Sequence, residues 1–313
     1  MTAPAVTAGG LREGAQRVFA WTAFPAVLSA TLGGALLLMD RGWEPALAVL
    51  PFLVGGYAVV ALCERVFPIH REWLHSRGDL HADIGLAATN GLLNRLVEPA
   101  VLAGCAALGV ALAGALGSGG LWPGGWPVLG QLALALLVAE LFEYWFHRLM
   151  HEHDVLWRFH AVHHSAPRLY WLNAARFHPV DLALVGTGKM LPLAFLGAGA
   201  EVLALVVLFS AIHGTFQHSN LVLRLGPLNW IFSMAELHRW HHSPVMEEAN
   251  HNYGGNLIFW DVVFGTRWLP ADREPPAAIG IEALPAFPRG FGALLAAPFR
   301  WSRVKREAAP PKR

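Results

Sequence analysis

The chain has 313 residues, 55% of them hydrophobic and only 14% charged, with a mean hydropathy of +0.41. A soluble domain carries about a quarter charged residues, and the deficit here is concentrated in long uncharged runs, which excludes an ordinary soluble globule. A formal net charge of +1 offers no basic surface for nucleic acid, and two cysteines, Cys63 and Cys105, both in apolar stretches, exclude a disulfide framework.

Residues 19–39 contain no Asp, Glu, Lys or Arg, enough helix to cross about 30 Å of hydrocarbon. The run is too long for the core of a cleaved leader, and Arg12, Glu13 and Arg17 make no compact basic start. Residues 45–63 predict a second span. A third is expected over 96–116, with Glu98 and Pro99 near one end, and a fourth over 128–146, with Glu140 and Glu143 toward its end. The apolar stretch 182–212 is interrupted by Gly186, Gly188, Lys189, Pro192, Gly197, Gly199 and Glu201. Too long for one comfortable span, it predicts two shorter helices in a hairpin. Parity agrees, since histidines on either side share a site only if the stretch crosses twice or not at all.

Positive charge sets the expected orientation. Arg12 and Arg17 precede the first span; Arg65, Arg71, Arg77 and Arg95 separate the second from the third; Arg148, Arg158, Arg168 and Arg176 follow the fourth. The two remaining connections hold only Arg41. The N-terminus and everything after Phe146 are therefore expected on the cytoplasmic side of an inner, cytoplasmic membrane. From Pro270 the chain is rich in Pro and Ala, with a short apolar piece (291–299) and a basic end (Arg300, Arg303, Lys305, Arg306, Lys312, Arg313), expected either to lie on an anionic leaflet or to be a disordered end without function. The organisation predicted is all-α: a polytopic membrane bundle of about four spans plus a hairpin, with a cytoplasmic histidine-rich helical cap. Residues 1–139 form its transmembrane region, 140–269 a di-metal catalytic region, and 270–313 a surface tail.

Thirteen of the sixteen histidines fall between His147 and His251, ten of them in four compact groups. These are His147 and His151 (HRLMH), His160, His163 and His164 (HAVHH), His213 and His218 (HGTFQH), and His238, His241 and His242 (HRWHH). Helical residues three or four apart share a face, about 5–6 Å apart at Cβ, so such pairs can reach one metal. Adjacent residues diverge by about 100°, so the doublets His163–His164 and His241–His242 each suit two metals. Ten imidazoles also exceed the needs of one ion. Asp154 is expected to cap the helix bearing the first doublet, with Pro167 ending it; Ser233 and Glu236 match a capping box before the second, with Pro244 beyond.

Imidazole suits zinc, iron, copper and nickel alike. A structural zinc needs only four ligands, and a zinc protease would show H-E-x-x-H, which is absent. Soluble di-iron enzymes use Glu and Glu-x-x-His, absent among these clusters. An all-histidine shell beside a membrane points to a redox pair of irons, for which zinc could substitute. The competing readings are a membrane metal-binding or transport protein, whose ligands would sit near the midplane on broken helices, and a zinc-dependent membrane hydrolase.

The motifs Y-W-F-H-R-L-M-H, L-W-R-F-H-A-V-H-H-S, R-F-H-P-V-D, H-G-T-F-Q-H-S-N, L-H-R-W-H-H-S and N-Y-G-G-N-L-I-F-W-D-V-V-F-G-T run in this order through residues 140–266. In them the chain resembles the fatty acid hydroxylase / sterol desaturase superfamily of membrane di-iron enzymes. That resemblance implies O2-dependent hydroxylation or desaturation of a lipid C–H bond, and electrons from a separate ferredoxin, cytochrome or reductase. It also places the ten clustered histidines on the family's ligand positions. His251 stands where many members carry an acidic residue; it is either a group that supports a ligand, which is the expectation here, or an extra ligand. Metal-bound imidazoles donate their other N–H to a carboxylate or carbonyl. Glu143, four residues before His147, is the first candidate for that role, with Glu140 continuing its stripe, followed by Asp181, Asp261 and Asn252; His178 either orients a ligand or belongs to a structural turn at Pro179. Trp145, Trp157, Trp171, Trp240 and Trp260 are candidates to line a substrate channel or to pack at the interface.

Overall fold

The structure, a computed structural model, describes residues 8–117 and 120–308, with side chains from residue 14 onward. The side chains of Arg12, Lys312 and Arg313, used in the charge argument, lie outside it. Among the described residues the only strand-like pairings are two isolated bridges. Helices α1 (Ala8–Asp40), α2 (Pro45–Val66), α3 (Leu80–Ala115) and α4 (Val128–Glu152) answer to the four predicted spans. The short α5 (Asp154–His164) follows. The hairpin is α6 (Pro179–Leu182), continued through a π-turn into α7 (Gly188–Leu196), then α8 (Ala200–Gln217). It turns at Gly197, whose φ of +87° only glycine adopts readily. Counting 179–196 as one unit, six helices are long and apolar enough to cross a membrane. The chain is a polytopic, all-helical integral membrane protein.

α3 departs from expectation by starting sixteen residues early. Counting uncharged runs stops at Arg95 and Glu98, but the helix continues through both. Its 36 residues span about 54 Å, well beyond the hydrocarbon thickness. Ala82 and Leu86 of its first turns therefore join one buried apolar cluster with Trp157 and Ala161 of α5. Arg95, counted with the loop charges, is an exposed residue within α3.

The helices meet through small residues, as membrane helices do. A Cβ on Gly109 of α3 would stand 1.7 Å from the Phe195 carbonyl oxygen of α7. Gly109→Ala is therefore expected to force α3 and α7 apart, at about 1–3 kcal/mol; an unchanged thermal midpoint in detergent would refute that contact. α2 packs on α8, α1 on both, and α4 on α7 and α8.

One end of this bundle carries the cap. α4 ends in His147 and His151, and α8 ends just before His218. At the same end, Ile69 beyond α2 donates to the Asn220 carbonyl, and Arg224 donates to the carbonyl of Ala20 in α1. The remaining short helices complete the cap and tail: α9 (Ala235–His241), α10 (Met246–Ala249), α11 (Phe259–Val263), α12 (Phe291–Ala296) and α13 (Trp301–Ala308).

Three local expectations are corrected. Asp154 is the first residue of α5 and does not cap it; its carboxylate accepts from Trp301 Nε1 at 3.1 Å and Lys305 Nζ at 3.2 Å. Before α9 no capping box forms, because Glu236 instead accepts from the Leu225 amide and Asn229. The tail's apolar face (Leu294, Ala297, Trp301, Val304) is buried against α3 and α5, so protein rather than lipid covers it.

Candidate metal centre

Nine of the ten clustered histidines converge as two buried groups. His147, His151, His160, His164 and His241 form one; His163, His218, His238 and His242 form the other, and within each the potential ligand atoms lie within 4.8 Å of one another. Both doublets divide between the groups, their rings at 85° for His163–His164 and 88° for His241–His242.

The tenth, His213, is brought to neither group. It is fully buried among Phe24, Phe209 and Phe232, with both ring nitrogens unpartnered. The reason is helical: five residues from His213 to His218 turn about 140°, so the two cannot share a face.

Six of the nine converging rings have Nδ1 held by an acceptor. His147 donates to the Tyr253 carbonyl (2.6 Å), His151 to Asn250 Oδ1 (3.1 Å), and His160 to Asp181 Oδ2 (2.8 Å). His163 donates to the Arg176 carbonyl (3.1 Å), His218 to the Gly214 carbonyl (2.9 Å), and His241 to the His251 carbonyl (2.8 Å). An imidazole that donates from Nδ1 presents a lone pair at Nε2. Yet His147 and His160 bring Nε2 to Nε2 at 3.0 Å, and His163 and His218 do so at 3.2 Å. Protons cannot relieve this crowding in the second group, since burial drives the His163 pKa well below its ordinary value and that of His218 to about 4. Burial, reinforced by neighbouring imidazoles, likewise depresses His164, His238, His241 and His242.

Lone pairs face to face in a dry interior are repulsive unless a cation takes them. Two nitrogens at right angles about 2.1 Å from an ion stand about 3.0 Å apart, the spacing seen. Further nitrogens, His151 Nε2 and His241 Nε2 among them, are buried without partners, each costing about 1–3 kcal/mol if left so. The donor set fits a transition metal and not the hard cations magnesium or calcium, which take oxygen.

Supporting residues divide three ways. Asp181 touches a converging histidine directly, accepting from His160. His251 supports His241 by its backbone carbonyl, while its own ring packs on Trp268 at 5.1 Å. Asp261 acts one step away: it accepts from the amides of Tyr253 (2.8 Å) and Gly254 (2.7 Å), fixing the loop whose carbonyl holds His147. Asn252, at φ +56°, binds Leu237 and Trp268 backbone atoms, and His178 caps α6 through the Val180 amide, so neither touches a converging histidine. Glu143 is a correction. His147 Nδ1 is engaged by Tyr253, and the carboxylate pairs with Lys189 Nζ at 3.1 Å. Glu140 anchors the same loop from α4, accepting from the amides of Asn256 (3.0 Å) and Leu257 (3.2 Å).

Sequence reasoning missed Asn250 and the carbonyls of Tyr253, Arg176 and Gly214. It also missed what holds Arg176 itself: a buried salt bridge to Asp83, which also accepts from Tyr170 Oη at 2.7 Å.

A cavity of about 400 Å³ opens onto both groups, reaching His147, His160, His163, His218 and His238. None of the five tryptophans proposed for a channel lines it. Trp157 instead packs on His151 and His164.

A buried transition-metal centre at the end of a membrane bundle, open to a cavity, defines a membrane metalloenzyme. The fatty acid hydroxylase family matches residues 132–266. The ornithine lipid hydroxylase OlsE of Rhizobium tropici is 38% identical over 277 residues, covering 88% of this chain and 82% of that protein. The alkylglycerol monooxygenase of Danio rerio is 38% identical over 140 residues, and methylsterol monooxygenase 1 of Rattus norvegicus 27% over 132. These span 45% and 42% of this chain, and 31% and 44% of the relatives. No solved structure gives a significant match. The chain belongs to the fatty acid hydroxylase family, and is an oxidoreductase of the lipid-hydroxylase class with a metal centre.

Proposed function

We propose that the chain hydroxylates a membrane lipid with dioxygen, using two iron ions, one in each histidine group. The observation that carries this is the pair of Nε2-to-Nε2 contacts between imidazoles whose Nδ1 atoms are already committed. Bound iron would supply the oxidising power needed to break an unactivated C–H bond, drawing electrons from a separate ferredoxin, cytochrome or reductase. The protein's own part is positioning. Asp181, Asn250 and four carbonyls lock the tautomers, buried walls exclude water, and the cavity presents the lipid beside His147, His160, His163, His218 and His238. Hydroxylation is preferred to desaturation because the relatives carry hydroxylase or monooxygenase names. Ornithine lipid is the first substrate to test, from the relative matched along most of its length. The arginine distribution supports a cap facing the cytoplasm from the inner membrane.

The test is metal content with oxygen dependence. Purified chain is expected to hold two irons and to form hydroxylated lipid only with dioxygen and a reductant. Stoichiometric zinc with oxygen-independent turnover would overturn the reading in favour of a hydrolase. Metal release across a bilayer without lipid product would favour a carrier.

A further inference from the structure

A cavity that admitted only hydrocarbon would be apolar throughout, and this one, though walled largely by Ala, Val, Leu, Met and Phe side chains, carries a polar strip. Along α3, beside Ala87 and Gly91, the polar positions that line it are Asn90, Asn94 and Glu98, spaced four residues apart on one helical face. They sit within a helix otherwise apolar enough to span. Across from them stand Lys189 and Glu143, also lining the cavity. Asn90 is 4% exposed, donates Nδ2 to the Phe177 carbonyl at 2.9 Å, and leaves its buried Oδ1 without a partner. Glu98 lines the cavity and makes no hydrogen bond or ion pair among the described residues. Charged groups inside a membrane bundle are costly and mark a ligand path.

Resting on the lipid-hydroxylase reading above, we infer that Asn90, Asn94, Glu98 and Lys189 form a headgroup subsite for a zwitterionic lipid bearing a primary ammonium and an anion. Glu98, unpaired, takes the ammonium. Lys189 turns from Glu143 toward the anion, a carboxylate or a phosphate. Asn90 Oδ1 accepts from a further headgroup N–H. One lysine beside two carboxylates disfavours a purely anionic headgroup, and an uncharged one would leave Glu98 unmatched.

Four lipids test this, presented to the full-length chain in nanodiscs: an ornithine-type amino-acid lipid, phosphatidylethanolamine, phosphatidylglycerol and diacylglycerol. Retention is read by native mass spectrometry, and KM and kcat on whichever lipids turn over. Wild-type chain is expected to retain one or both ammonium-bearing lipids at least tenfold over the other two. The first of them binding better assigns the anion as a carboxylate, the second as a phosphate. Glu98→Gln is expected to erase that preference and raise KM by about 10–100-fold, the worth of one charged hydrogen bond, with the effect in KM and retention rather than kcat or metal content. Lys189→Gln is expected to weaken the same lipids; should it fail to accumulate, Glu98→Gln decides alone, because Glu98 makes no hydrogen bond or ion pair to another side chain among the described residues. Equal retention of all four lipids by wild-type chain, or an unchanged preference in Glu98→Gln, would overturn the subsite. Selective retention without any hydroxylated product would leave the subsite standing and defeat the hydroxylase reading.

Discussion

Replacing His163 or His241 with alanine is expected to lower lipid hydroxylation by more than about 100-fold while the protein still inserts and accumulates in the membrane. Removing a residue that merely supports a ligand costs about 10–100-fold in metal affinity or activity, and loss of a ligand itself should exceed that. The two variants strike different groups, His241 the five-membered and His163 the four-membered one, so each should also reduce bound metal. His213→Leu is the contrasting variant. Its ring lies among Phe24, Phe209 and Phe232 and belongs to neither group, so metal content should hold at the wild-type value. Metal analysis beside turnover checks all three. Full activity in either alanine variant, or loss of metal in His213→Leu, would contradict the division.

Asp181→Asn should weaken metal binding by about 10–100-fold, or about 1.4–2.8 kcal/mol, without displacing the helix that carries it. Asp181 is wholly buried, and its Oδ2 is the only carboxylate oxygen bonded to a converging histidine among the described residues. Asparagine keeps the shape and can still accept, but it withdraws the negative charge that makes His160 a better donor to a cation. Titration with a chelator should strip metal from Asp181→Asn at lower chelator concentration than from wild type. Identical stripping curves would reduce Asp181 to a packing role. The corresponding supports of His147, His163, His218 and His241 are backbone carbonyls, which substitution cannot remove, and that of His151 is the uncharged amide oxygen of Asn250, so Asp181 is the one charged handle among the described residues.

The same distinction explains how much of the site was legible beforehand. Hydropathy and charge are local properties, so the spans and the hairpin at Gly197 could be placed without coordinates. The split of His163 from His164, and of His241 from His242, follows from 100° per helical residue. That arithmetic also separates His213 from His218, although the clustering of residue types had joined them. The supports were not legible, because every residue owns a carbonyl and no residue type announces which one will face an imidazole across 106 positions, as Tyr253 does for His147.

By itself, then, the sequence determined a helical membrane protein with a histidine-built metal centre, since period and composition act within one element. Only the tertiary structure decided that Glu143 meets Lys189 rather than His147, that the tail's apolar face lies against α3 and α5, and that α3 turns Asn90, Asn94 and Glu98 toward the cavity beside the metal site. Each of these depends on which elements are neighbours. Neighbourhood is set by packing between helices distant in sequence, through contacts such as Gly109 on Phe195, and no local pattern encodes it.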